Sequence, residues 1–166
     1  MAKDSSFDIV SEVTMQEVDN AWQQARKELV QRYDLKDSGA QLEFDKSAKL
    51  FTLTAPSEFV AHQVQDVLNT KLVRRSIDLK ALDWSEPHQA SGMQLRLLGK
   101  IIAGIDKDTA GRINKDIRGL KLKNVKVQIE QDKLRVFSPK RDNLQDVIAF
   151  LKEQDYGLPL QYVNYR

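Results

Sequence analysis

Lys133-Leu-Arg-Val-Phe-Ser-Pro-Lys-Arg-Asp-Asn-Leu-Gln-Asp-Val147 decides the fold, because a related pattern occurs earlier, at Lys49-Leu-Phe-Thr-Leu-Thr-Ala-Pro-Ser-Glu-Phe-Val-Ala-His-Gln-Val-Gln-Asp-Val67. In both stretches Lys-Leu opens a run of alternating apolar residues, a proline ends the run, and Gln-Asp-Val follows within apolar steps of three and four. The pairs Lys49/Lys133, Pro56/Pro139 and Gln65/Gln145 lie 84, 83 and 80 residues apart, so small gaps align the copies. Alternation predicts a strand. Proline suits the start of a helix, where its missing N–H costs nothing. Similarity at so long a period points to one supersecondary unit used twice.

Working outward from Lys49, Gln41–Phe44 and Lys49–Ala55 form a hairpin across Asp45–Ala48, with Leu42, Phe44, Phe51 and Leu53 on one side. Pro56-Ser57 opens a helix carrying Val60, Val64, Val67, Leu68 and Leu72, and Ile77–Trp84 is extended. Upstream, Phe7–Val13 alternates as a strand, and Thr14-Met-Gln-Glu17 has the form of a capping box. Val18, Trp22, Ala25, Leu29 and Tyr33 then mark one helical face. From Lys133 outward, Val125, Val127 and Ile129 alternate before the turn Gln131-Asp132, and Leu134 and Val136 alternate after it. Ser138-Pro139 caps a helix with Leu144, Val147, Ile148 and Leu151. Met93–Leu98 is a strand, Asp106–Leu120 a helix with Ala110, Ile113, Ile117 and Leu120, and Leu158–Arg166 a closing strand.

Each half reads βαββαβ, which makes an α+β chain of two ferredoxin-like sandwiches in tandem. The polar stretch Ser85–Gly92, with its Pro and Gly, is the linker candidate, giving a first domain over 1–90 and a second over 91–166. Units of this size sit near the lower limit for an independent core, so the halves are expected to support one another.

Composition removes whole classes of function. The chain has 166 residues, 41% hydrophobic and 30% charged, in the range of a folded globular protein. With no cysteine, disulfides, thiol nucleophiles and cysteine zinc sites are excluded. The two histidines, His62 in a helix and His88 in the linker, lack the surroundings of a metal centre or a nucleophile turn. Neither a Gly-x-x-x-x-Gly-Lys loop nor a Gly-x-Gly-x-x-Gly motif occurs. No apolar run reaches the roughly 20 residues of a membrane span, and the start is not of signal-peptide type. The expectation is a cytoplasmic protein with no cofactor, no membrane partner and no enzymatic activity.

Charge is the positive clue. The net +2 conceals a balance of −4 over residues 1–92, +8 over 93–141 and −2 over 142–166. A basic segment between acidic ones attracts phosphates without making the whole chain sticky. In the second half the sheet face away from the helices should carry Lys126, Gln128, Arg135 and Phe137, cations interleaved with a ring, as single-stranded nucleic acid requires. The Gly and aromatic pattern of RRM-type base stacking is absent from Lys133–Phe137. Lys140 and Arg141 lie at a helix start, where the helix dipole disfavours cations and free amides favour anions. The candidate nucleotide- or RNA-binding residues are therefore Lys140, Arg141, Arg135, Phe137, Lys126, Arg112 and Lys115. Lys71, Arg74 and Arg75 form a secondary cluster with a structural alternative, since cations in a last helical turn complement the dipole. The competing reading is a protein-interaction adaptor whose basic surface meets an acidic partner.

Ser6–Val13, Arg32-Tyr-Asp34, Lys71-Leu-Val-Arg-Arg75, Arg135-Val136 with Lys140–Gln145, and Leu160-Gln-Tyr-Val-Asn-Tyr-Arg166 resemble the YajQ family of bacterial cytoplasmic proteins, over nearly the whole chain. The resemblance implies two ferredoxin-like domains that exchange their N-terminal strands, here 7–13 and 93–98. It also implies binding of RNA or tRNA, or of a nucleotide such as GTP or cyclic di-GMP, and a transcription-related partner. Asn143 stands where the family often has Asp, Tyr162 and Tyr165 where it has Phe, and Gly111 where it has Lys.

Overall fold

The computed structural model describes residues 4–166, which form two antiparallel sheets, each sharing a core with two helices. The chain divides into two compact units, one spanning Val13–Ile102, the other combining the residues up to Glu12 with Ala103–Arg166.

In the Val13–Ile102 unit, β2 (Gln41–Asp45) and β3 (Leu50–Ala55) pair as a hairpin, with Leu42 opposite Leu53 and Phe44 opposite Phe51. β6 (Leu95–Ile101) lies antiparallel between β3 and β4 (Leu82–Trp84), giving the order β2-β3-β6-β4. The helices α1 (Met15–Gln31) and α2 (Glu58–Arg74) bury Val18, Ala21, Ala25 and Leu29, and Ala61, Val64, Val67, Leu68 and Leu72, in one core with Phe51, Leu53 and Leu97. Each large apolar side chain so enclosed is worth about 1.5–3 kcal/mol. Gly99 admits the indole of Trp84, since a Cβ there would stand 2.8 Å from that ring. The stretch 85–92 runs along the sheet. β5 (His88–Gln89) pairs with β6, and Ser85 both donates its N–H to the Leu98 carbonyl and accepts the Leu98 N–H at its hydroxyl.

The other unit repeats this order with β7 (Lys126–Glu130), β8 (Lys133–Ser138), β1 (Ser5–Val10) and β9 (Gln161–Val163). β1 is antiparallel to both neighbours, with Phe7 opposite Val136 and Ile9 opposite Leu134 and Tyr162. α3 (Lys107–Gly119) and α4 (Arg141–Lys152) pack Ala110, Ile113, Ile117, Leu144, Val147, Ile148 and Leu151 against Phe7, Ile9, Leu134 and Val136. Thus β1, which leads into α1, pairs with β8 and β9, while β6, which leads towards α3, pairs with β3 and β4. Each sheet has the strand order of a ferredoxin-like sandwich, and the chain is two such units in tandem. No helix among the described residues is long and apolar enough to cross a membrane.

Local structure differs from expectation at several places: β1 and β6 run Ser5–Val10 and Leu95–Ile101 rather than 7–13 and 93–98, and a 3-10 turn at Leu79–Ala81 interrupts the stretch expected to be extended. Thr14 is the N-cap of α1, but its side chain makes no cap hydrogen bond and Glu17 pairs with Arg75, so the capping box does not form. Ser138 does not cap α4 directly; Lys140 is the N-cap, and Ser138 Oγ accepts the Lys140 N–H. Tyr33 lies beyond the end of α1 and is 90% exposed, because the helix stops at Gln31 and Arg32 turns to extended backbone.

Candidate functional site

On the sheet face opposite α3 and α4, the register places Lys126 beside Phe137, Gln128 beside Arg135, and Arg135 beside Asp8. This brings Lys126, Arg135 and Phe137 onto one face. The cation of Arg135 is not free, however. Its Nε donates to Asp8 Oδ1 at 2.8 Å, and Nη1 stands 3.7 Å from Glu130 Oε1. Asp8 is 1% exposed, accepts further hydrogen bonds from Arg135 Nη2 at 3.4 Å and Asn164 Nδ2 at 2.8 Å, and has Lys133 Nζ at 3.5 Å. The Arg135 hydrogen bond, opposed by burial and helped by Asn164, holds the Asp8 carboxyl down at about 2. Arg135 therefore neutralises a buried charge, and Lys126 is the exposed cation of the pair.

At one end of the same unit, α4 begins. The amides of Arg141 and Asp142 have no partner among the described residues, while Asn143 N–H bonds the Lys140 carbonyl. Lys140 and Arg141 are exposed, and Arg141 Nε makes a long 3.5 Å hydrogen bond to Ser5 Oγ. Beyond β9 the chain continues alongside β1, since Ser6 and Arg166 exchange backbone hydrogen bonds at 3.0 Å in both directions. That pairing brings Arg166 and Tyr165 to Arg141. Together with Ser5, Leu144 and Gln145 they line an open cavity of about 230 Å³. One face of the Tyr165 ring lies over Phe7, at 6.1 Å and 29°, yet Tyr165 is 61% exposed. The cavity thus combines two guanidinium groups, an amide side chain and a ring available for stacking, and it adjoins the start of α4 at Arg141. Asp142, in the first turn, adds an opposing carboxylate.

The remaining candidates lie elsewhere. Arg112 and Lys115 are on α3, across the sheet from Arg135, so these three do not converge. Arg112 sits over the Tyr156 ring at 5.4 Å, and the Tyr156 hydroxyl donates to Asp116 at 2.7 Å. Burial and that carboxylate raise the phenol well above its ordinary value. In the secondary cluster, Lys71 pairs with Glu28 at 3.0 Å and Arg75 with Glu17 at 2.9 Å, both on α1, which leaves Arg74 exposed. Those pairs join α1 to α2 and account for two of the three cations. Sequence reasoning did not select Tyr165, Arg166 or Gln145. The signal available was the Tyr-x-x-Tyr-Arg ending, which alternation alone assigns to a strand.

Comparison with known proteins gives a full-length match. A family model described as "Nucleotide-binding protein YajQ-like" matches residues 5–166. A "Nucleotide-binding protein" of Nocardia farcinica is 50% identical over 163 residues, covering 98% of this chain and 99% of that protein. Proteins of the same description from Endomicrobium trichonymphae and Desulfitobacterium hafniense are each 45% identical over 166 residues, the full length of both chains.

Proposed function

The chain belongs to the YajQ-like family of nucleotide-binding proteins, and from that premise we propose that it binds a phosphate-bearing nucleotide, free or within RNA, at the start of α4. Arg141, Lys140 and Arg166 supply the cations, the amides of Arg141 and Asp142 meet a phosphate oxygen, and Tyr165 stacks on the base. The observation that carries this reading is the cavity at the first residue of α4, lined by Arg141, Arg166 and the exposed ring of Tyr165. No bond is made or broken. Binding acts as a signal in the cytoplasm, read by a transcription-related protein. The candidate ligands are RNA or tRNA, or a nucleotide such as GTP or cyclic di-GMP.

The test is a titration with GTP, cyclic di-GMP and tRNA at two salt concentrations. Arg141→Ala should weaken binding by about tenfold, the size of one lost charge-assisted hydrogen bond. For tRNA, the slope of log affinity against log salt should flatten by about one unit. Asp142→Asn should strengthen binding, because it removes a negative charge from the helix turn proposed to hold the anion. Unchanged affinity in Arg141→Ala and Lys140→Ala refutes the site. If those variants lose a protein partner while nucleotide binding persists, the adaptor reading replaces this one.

A further inference from the structure

The two units differ where α3 meets the edge strand β7. Asp106 and Thr14 are the N-caps of α3 and α1, and the eighth residue after each is Asn114 and Trp22. Trp22 donates its Nε1–H to the carbonyl of Leu42 on the edge strand β2, at 2.9 Å. Val127 of β7 matches Leu42, each being the second residue of its strand and opposite the fourth residue of the next. In the second unit no indole is present. Asn114 stands there instead, and its buried Oδ1 has no hydrogen-bond partner. Asn114 lines an open groove of about 470 Å³ between α3 and β7. An acceptor left unpaired away from water costs about 1–3 kcal/mol.

The groove's other features are consistent with one kind of occupant. Glu130 and Lys133 close a two-residue hairpin as a hydrogen-bonded pair, so alternation turns the N–H and C=O of Val127 and Ile129 off the sheet edge. Nothing among the described residues pairs with that edge. Ile117, Leu122, Val125 and Val127 make an apolar floor, Arg118 and Lys126 flank it, and no acidic residue lines it. Exposed Lys121 and Lys123 extend the positive charge along the approach to β7. We propose that this groove binds an extended acidic peptide segment of a partner protein, which adds as a strand to β7. Its backbone pairs with Val127 and Ile129, an amide N–H satisfies Asn114 Oδ1, apolar side chains enter the groove, and the alternate carboxylates meet Lys126 on the opposite sheet face. Nucleic acid fits less well, because the lining has no ring for a base.

The experiment uses the whole chain and a fluorescein-labelled, acetylated peptide of alternating glutamate and valine, with a lysine–valine peptide as control. Anisotropy should report binding of the acidic peptide alone. Hydrogen exchange should show Val127 and Ile129 amides, fast in the free protein, protected in the mixture. Asn114→Trp should remove the protection, because an indole there would donate to the Val127 carbonyl as Trp22 does to that of Leu42. Lys126→Glu, at an exposed side chain, should weaken binding by at least about fivefold, the upper end for an exposed pair reversed rather than deleted. That variant keeps the test decisive should Asn114→Trp fail to fold. Absence of acidic-peptide binding, binding without protection of Val127 and Ile129, or binding indifferent to Lys126→Glu overturns the proposal. So does competition for the same amides by polyuridylate alone, or their protection by self-association on concentrating the protein.

Discussion

Asp8 is a buried carboxylate whose neighbours Arg135 and Asn164 come from residues far away in the chain. Its folded-state value, near 2, lies below the ordinary carboxylate value. The stabilisation is therefore fully present above pH 4 and is lost as pH falls towards 2, by about 2 kcal/mol. Urea melts at pH 6 and at pH 2.5 should show that loss in the wild type, and Asp8→Asn should show less of it. Asp8→Ala is a harsher change, because it leaves Arg135 beside Glu130 alone and should cost about 3 kcal/mol. Equal pH sensitivity in Asp8→Asn and wild type would remove Asp8 from the account. The sequence shows Arg135 as one cation of a basic segment. It cannot show that a carboxylate 127 residues earlier is its partner, since that depends on which strands are neighbours. Lys140 and Arg141 were legible because a helix start is a local property, whereas the arrival of Tyr165 and Arg166 beside them depends on β9 and its continuation lying along β1.

At the scale of elements, the apolar spacing of all four helices and the turns of both hairpins are visible in the residues, because each is fixed by neighbours within a few positions. Caps were less legible. Glu17 had a choice between the Thr14 amide and the Arg75 guanidinium, and the interhelical ion pair prevails. The β4–β6 contact gives a test. Gly99→Ala places a methyl where the Trp84 ring lies, so the indole must swing out or β6 must shift. A destabilisation of about 1–3 kcal/mol is expected from overpacking. In a Trp22→Phe background, the emission of the remaining Trp84 should move to the red; an unmoved emission maximum and unchanged stability would show that the strand yields instead. Trp22→Phe also removes the indole N–H from the Leu42 carbonyl and should itself cost about 1 kcal/mol.

At the scale of the molecule, alternation in Phe7–Val13 announces a strand but does not say which sheet receives it, because either sheet would bury Phe7 and Ile9. Long-range pairing decides, and it puts them at the centre of the β8–β9 sheet, both fully buried. A fragment spanning Ala103–Arg166 should therefore lack its central strand and show no cooperative thermal transition. Adding a peptide of Ser5–Glu12 should restore one, and a fragment that melts cooperatively without the peptide would contradict this. The same placement orders events during translation. The unit Val13–Ile102 has all its strands once β6 has left the ribosome, while β1, emerging ahead of it, must wait for β8. At about 5–20 residues per second that wait lasts roughly 6–25 s. During it Phe7, Ile9 and Val10 are exposed on a nascent chain with no sheet to join, a binding opportunity for chaperones that recognise short apolar segments.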